Sequence, residues 1–294
     1  METLNPPAAM QKSRVRTIAI LGGASRDPRT PSHLLELEDE HTRAATFAAR
    51  IPAFAGTPFD RLIVDLAYVE MAQRAAAAGC DAILIDSFAD YGIAAMRAAI
   101  EIPVIGGGEA GMAAAAAGGR RYSIVTIWPA SMAFLYDERL RMLDTGRQCV
   151  GVHHVSPEAE LARVTAVDGV MQRMQRHEDA IVDRLVEACE EAVRRDGADC
   201  ILLGCTCMAP VGPLIQSRVP FPVIESSRTG FNAAKAAAQS GVRHCVVVPE
   251  QRRALVARLV DGFAPSKAAA GSAAETADAE CPVCIFTPRV GAAA

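Results

Sequence analysis

The sequence has no surplus of basic charge, no apolar run long enough for a membrane and no regular cysteine framework, and each absence removes a class of function. Thirty Lys and Arg residues face 34 Asp and Glu, for a formal net charge of −4. Nucleic acid and anionic membrane surfaces both demand a basic face, so neither is an expected partner. No stripe that interleaves aromatic and basic residues offers a substitute. A membrane-spanning helix needs roughly 18 or more consecutive apolar residues, and no run reaches that length. Met1 to Ser13 contains no long apolar stretch and is not expected to act as a secretory signal. The nine cysteines are odd in number and scattered, several of them inside apolar strand-like runs. That pattern fits reduced thiols in a cytoplasmic protein. Cys80, Cys149, Cys189, Cys200 and Cys245 are accordingly expected as small core residues.

What the chain does have is core-forming material. Hydrophobic residues make up 51% of the 294 positions and charged residues 22%, enough for one large domain or two smaller ones sharing a cleft. Short β-rich runs alternate with longer helical stretches, the pattern of an α/β protein with parallel strands. The strand candidates are Thr17–Leu21, Ala82–Asp86, Ile102–Ile105, Ser123–Ile127, Cys149–Val155, Cys200–Leu203, Phe221–Ile224 and His244–Val248, with a weaker one near Ala48–Phe54. Most are continuously apolar, as strands covered on both faces must be. Thr57, Pro58 and Asp60 supply a cap, a first-turn proline and an acid for a helix that carries Leu62, Leu66 and Val69 and ends at Gly79. A second long helix is expected from Asp168 to Gly197, with Met174, Ile181, Leu185, Ala188 and Ala192 on one face. Residues 265–294, rich in Ala, Gly, Ser and Thr, read as a flexible tail, as do residues 1–13.

The chain also repeats itself. Gly79–Ser87 aligns with Gly197–Cys205, 118 positions on, and Ile102-Pro103-Val104-Ile105 aligns with Phe221-Pro222-Val223-Ile224, 119 positions on. Two copies of one α/β unit are therefore expected. Ligands of open parallel sheets bind beyond the carboxyl ends of strands, and Ser87 and Cys205 both sit just past such an end. Copies facing each other across a pseudo-twofold axis would bring these side chains to opposite faces of one substrate carbon. Otherwise Ser87 caps a helix and Cys205 packs.

Leu203-Gly204-Cys205-Thr206-Cys207-Met208 is the strongest local motif. A cysteine at a strand-to-helix turn meets backbone N–H groups and a positive helix end, which favour its thiolate. Gly204 would let the backbone approach a ligand closely, and the Thr206 hydroxyl would bond a carboxylate or enolate oxygen. Cys207 is either a packed neighbouring thiol or a second reactive group.

These segments resemble the aspartate/glutamate racemase superfamily. Ile201–Thr206 is similar to its second active-site motif, while Asp81–Gly92, Ile102–Met112 and Tyr122–Met132 resemble its hydantoin racemase branch. The resemblance covers roughly residues 16 to 262. It implies two pseudosymmetric flavodoxin-like domains with parallel sheets and an interdomain active site, holding one cysteine from each domain and using no cofactor or metal. The first domain would comprise residues 14–121 plus 226–264, with His244–Val248 completing its sheet, and the second residues 122–225. Ser87 stands where the first cysteine is expected. A hydroxyl is no effective base near neutral pH without activation, and Asp86 beside it should point to the other face. The loop holding Gly22, Gly23, Ala24 and Ser25 matches a carboxylate-binding loop of the superfamily, with Ser25 the candidate and Arg26 and Arg29 nearby. Phe88 and Thr126 complete the expected pocket.

The leading expectation is a racemase or epimerase acting beside a carboxyl or carbonyl group, with Cys205 as acid/base and Ser87 opposite. The superfamily also holds one-thiol arylmalonate decarboxylase and maleate isomerase, which the loss of the first thiol fits equally well. A homologue that only binds small molecules is the third reading. The expected partner is a small carboxylate or cyclic amide, and a homo-oligomer is expected.

Three other motifs carry less. Gly106–Gly111 has the spacing of a dinucleotide fingerprint, but the strand that follows lacks the acidic residue such a site requires. Cys281 and Cys284 form a CxxC without a second ligand pair. His153 and His154, adjacent on a strand, should face opposite ways, and His177 with Glu178 should be solvated.

Overall fold

The computed structural model describes residues 14–22, 31–51, 54–163, 166 and 168–263. In chain order the elements are β1 (Arg16–Gly22), α1 (Ser32–Leu35), β2 (Thr42–Ala48), α2 (Pro58–Ala77), β3 (Ala82–Ile85), α3 (Ile93–Ala99), β4 (Val104–Gly106), α4 (Gly107–Ala116), β5 (Tyr122–Thr126), α5 (Phe134–Met142), β6 (Cys149–His154), α6 (Val170–Gln175), α7 (Asp179–Asp196), β7 (Cys200–Leu203), α8 (Gly212–Gln216), β8 (Val223–Glu225), α9 (Ser226–Ser240) and α10 (Glu250–Phe263). They build two four-stranded parallel sheets with orders β2-β1-β3-β4 and β6-β5-β7-β8. Both are flavodoxin-like, and each reverses its winding direction between its two central strands, the place where such sheets bind ligands.

The repeat read from the sequence is visible bond by bond. Asp81 and Asp199 each accept a backbone N–H from the start of the neighbouring central strand, from Thr17 at 2.9 Å and from Arg121 at 2.8 Å. Ile83 and Ile201 donate to Pro103 and Pro222, and Asp86 and Gly204 donate to Leu21 and Val125. Gly79 and Gly197 both end their helices at positive φ, 79° and 66°.

The helices that follow the fourth strands cross over. α4, from the first half, lies on β7 and β8, whereas α9, from the second half, covers β1 and β3. Their contacts are reciprocal. A Cβ on Gly111 would lie 2.7 Å from Ser226 Oγ and 3.0 Å from Leu202 Cδ1, and one on Gly230 would lie 3.3 Å from Gly107 Cα and 2.6 Å from Leu84 Cδ1. Phe231, Ala234 and Ala238 thereby join Ile18, Ile20 and Leu84 in one core layer, while Met112 and Ala115 share a larger core with residues of both sheets, Ile83 and Leu202 among them.

Four local expectations need correction. His244–Val248 is not a fifth strand. Its N–H groups at His244, Val247 and Val248 bond to Glu101 and Ala98 carbonyls, and His244 Nε2 accepts the Val104 N–H that another strand would have engaged. The weak strand falls earlier, at Thr42–Ala48 rather than near Ala48–Phe54. The helix expected from Asp168 to Gly197 breaks in two at His177, which is exposed and adopts φ 54°. On α2 the Thr57 cap forms and Val69 is buried as expected, but Leu62 is exposed; Val64, Ala67, Tyr68, Met71, Ala72 and Ala75 make the rest of the buried apolar face.

Cys80, Cys189 and Cys200 are core residues, Cys149 is half-buried, and Cys245, against expectation, is exposed. Burial pushes the Cys189 thiol up to about 12 and the Cys149 thiol up to about 11. Cys281 and Cys284, with the rest of residues 265–294, lie outside the described residues, as do residues 1–13. Among the described residues, no helix is long and apolar enough to cross a membrane.

Candidate active site

Ser87 and Cys205, one beyond β3 and one beyond β7, line a single cavity of about 90 Å³ between the two sheets. Its walls are largely aromatic, formed by Phe54, Phe88, Tyr91, Trp128 and Tyr136. The rings brace one another: Phe54 against Trp128 at 5.5 Å, and Phe88 against Tyr136 at 5.2 Å between centroids. Phe88 lies in this wall.

Tyr136 was not foreseen, and it organises the β5–β7 side. Its hydroxyl donates to the Gly204 carbonyl at 2.9 Å and meets Thr126 Oγ1 at 2.6 Å. Because the phenol spends its proton on Gly204, Thr126 is the donor of the shorter bond, and Thr126 Oγ1 in turn accepts the Trp128 N–H. Thr126 is fully buried and not on the cavity surface. It fixes Tyr136 and, through it, the backbone just before Cys205. Gly204 is packed so tightly that a Cβ there would meet Ile124, Thr126 and Tyr136 within 3.0 Å. Its close approach serves this packing as well as the cavity.

The Cys205 environment differs from a strand-to-helix turn. Only a short 3-10 turn, Thr206–Met208, follows it, and one N–H, that of Cys207, reaches its Sγ at 3.2 Å. The sulfur is joined to that of Cys207 in a disulfide, with the two Cα atoms 5.2 Å apart. Thr206 lines the cavity, but its hydroxyl proton goes to the Asp86 carbonyl at 3.1 Å, tying the β7 end to the β3 end.

On the opposite wall Ser87 Oγ accepts the Ala89 N–H at 3.3 Å, and Tyr91 lines the same cavity beside it. Burial holds the Tyr91 phenol well above its ordinary value. The Asp86 carboxylate turns away, as strand alternation requires. It accepts from Ser227 Oγ at 2.7 Å, and Ser227 Oγ lies 3.0 Å from His33 Nε2. Burial raises the Asp86 carboxyl above the usual carboxylate range and depresses the His33 imidazole, each drawn partly back by the other's charge.

The model of the Asp/Glu/Hydantoin racemase family matches residues 33–234. The chain belongs to that family.

Among curated members of the racemase family, the hydantoin racemase of Rhizobium meliloti is 27% identical over 169 residues. That match spans 58% of this chain and 65% of the relative, just under two thirds of its length. Among solved structures, allantoin racemase from Pseudomonas fluorescens superposes with a TM-score of 0.64 at 18% identity, covering 80% of this chain and 97% of that one. A Gly74Cys-Cys188Ser mutant of arylmalonate decarboxylase superposes at 0.56 with 20% identity, covering 78% and 94%. At such identities the superpositions speak for the fold alone.

Set against the racemase-family expectations, Ser87, Phe88, Gly204, Cys205 and Thr206 come together around the cavity, and Thr126 stands behind its wall. Ser25 and its loop, with Arg26 and Arg29, lie outside the described residues. The Gly106–Gly111 run packs the two halves together, as Gly111 shows. His153 and His154 do face apart, the first to Asp196 at 2.6 Å and the second to the Trp128 carbonyl at 3.0 Å. The residues missed by sequence reasoning are the aromatic wall at Phe54, Tyr91, Trp128 and Tyr136. The one available signal was scarcity: Trp128 is the sole tryptophan in the chain.

Proposed function

We propose that this chain is a cofactor-independent racemase or epimerase acting at the carbon beside a carboxyl or carbonyl group of a small acid or cyclic amide. The observation that carries the reading is the shared cavity, with Ser87 and Cys205 on walls that descend from equivalent strand ends. In this scheme the reduced Cys205 thiolate removes the substrate proton from one face, leaving an enolate. The Ser87–Tyr91 pair on the facing wall returns a proton to the other face and recovers it from solvent. The Cys205 thiol then releases its proton to solvent; the opposite enantiomer asks the Ser87 wall to take the proton, the step its hydroxyls perform least well. The aromatic wall holds the substituent of the stereocentre and keeps water from the enolate, which strengthens every polar contact to it.

A second reading has its own support. The described hydrogen-bond partner of Ser87 Oγ is an N–H, and the Tyr91 phenol on the same wall is no base either. A site with one competent thiol suits delivery of a proton to a single face after loss of carbon dioxide from a substituted malonate, or addition of the thiol to a maleate-like acid.

Proton NMR in deuterated buffer containing a reductant separates the readings. Single enantiomers of hydantoins and amino acids, and substituted malonates, are supplied to the wild type and to Cys205→Ala. Cysteine-dependent loss of the α-proton signal with loss of optical rotation supports racemisation. Deuterated product of one handedness with carbon dioxide release supports the one-thiol decarboxylase. Inactivity of both forms on the whole panel, with the thiol shown to be reduced, removes the support for both and leaves a binding protein.

A further inference from the structure

We infer that Cys205 and Cys207 form a reversible oxidation site, in which Cys207 is the resolving thiol that protects Cys205 and shuts the active site. The inference deepens the proposed function, because it rests on Cys205 being the working thiol. A thiolate, not a disulfide, is the nucleophile or base in cysteine chemistry. Yet the structure joins Cys205 to Cys207. The arrangement in hand is therefore the closed state of the site, and opening it requires reduction.

Three features make the pair a device of its own. Both sulfurs sit on one short turn, with the Cys207 N–H directed at Cys205 Sγ, so pairing needs no movement of one half of the molecule against the other. Cys205 faces the cavity while Cys207 does not. Loss of Cys207 therefore leaves the substrate walls intact. The oxidant is a peroxide, a small two-electron oxidant that can meet Cys205 where it lines the cavity. The other described thiols compete poorly or sit apart: burial raises those of Cys80, Cys149, Cys189 and Cys200, and Cys245 is exposed on the segment after α9.

The chemistry balances. The Cys205 thiolate attacks one peroxide oxygen, the O–O bond breaks, and the departing hydroxide takes a proton to become water. Cys205 is then a sulfenic acid, oxidised by two electrons. The Cys207 thiol attacks that sulfur, the S–O bond breaks, a second water leaves, and the disulfide is formed. A small dithiol reverses it by thiol–disulfide exchange, ending as its own cyclic disulfide and returning two protein thiols.

The test uses the full chain, reduced with dithiothreitol, desalted and treated with hydrogen peroxide. Peptide mass spectrometry reads the state of the sulfurs, so the result does not depend on a substrate. In the wild type the peptide carrying both cysteines should become two hydrogens lighter and return to its first mass with dithiothreitol. In Cys207→Ser and Cys207→Ala, Cys205 should instead be trapped by dimedone and accumulate several-fold more sulfinic and sulfonic acid. If Cys205 over-oxidises equally fast with and without Cys207, or if both thiols remain reduced while Cys245 is oxidised, the inference is overturned. A switch that forms as described in a protein inactive on every substrate would sink the functional reading and leave the switch standing.

Discussion

Gly108 lies directly beneath the carbonyl of Phe88: a Cβ at that glycine would sit 2.0 Å from the carbonyl oxygen. The neighbour is backbone, so it cannot rotate aside. Gly108→Ala must push the Ser87–Phe88 loop away from α4 or open the helix start. A loss of roughly 1–3 kcal/mol is expected, the usual cost of overpacking, together with reduced turnover, because Ser87 and Phe88 form the cavity wall. Urea unfolding measures the first effect, and an unchanged midpoint would contradict the close approach.

Asp90 gives the fold a pH dependence. Its carboxylate accepts the Gly108 and Glu109 N–H groups, both at 2.8 Å, and Arg139 stands 3.7 Å away. Burial, helped by the nearby Glu109 carboxylate, nonetheless pushes its carboxyl up to about 7. An acid whose folded value lies above its unfolded one, about 3.9, holds its proton more tightly when folded. Its contribution is complete below about pH 4 and is lost as pH rises through 7, at no more than about 1.4 kcal/mol per pH unit. Asp90→Asn should flatten stability between those values, as followed by urea midpoints across the range. A slope unchanged by the substitution would assign the effect elsewhere.

Cys205→Ser keeps the size of the side chain and removes its acidity. Proton transfer should fall by roughly 10²–10⁴-fold, the contribution of a positioned acid/base, while ligand affinity is nearly kept. Isotope exchange at the substrate α-carbon measures the first and calorimetric titration with a substrate analogue the second. Exchange at the wild-type rate would dismiss Cys205 as the proton carrier.

Ser87→Cys supplies the group that the facing wall lacks. Racemisation should rise relative to exchange on a single face, since the Ala89 N–H remains to orient a thiol there. Polarimetry alongside α-proton exchange gives the ratio. No rise in that ratio would argue against a mechanism with one carrier on each wall.

How far the sequence reveals these arrangements depends on the kind of interaction. β3 and β7 were legible because strands buried on both faces must be apolar throughout, and because the duplicated segment keeps Asp81 and Asp199 for the same backbone bond. Cys205 was legible as the residue following such a strand. The buried face of α2 was not, since much of it is alanine packed close, while Leu62 and Phe59 lie outside it in solvent. β2 hides in Thr42–Ala48, where alanine and arginine lack the branched pattern of a strand. Nothing local betrays that His244 would lend its ring to Val104, or that Thr126 would serve Tyr136 rather than a ligand. Both are contacts between elements distant in function or in sequence. The pairing of Cys205 with Cys207 depends on the turn between them, whose shape two intervening bonds do not dictate.

The crossing of α4 and α9 reaches beyond geometry. Each sheet is roofed by a helix that the other half of the chain supplies, and Gly111 and Gly230 seat those helices in matching fashion. Neither half owns a complete core, so the molecule should melt in one cooperative step rather than half by half. The two cavity walls, tethered within one polypeptide, also cannot drift apart on dilution. Catalytic output per chain should therefore hold steady at concentrations where a site shared between separate subunits would be lost.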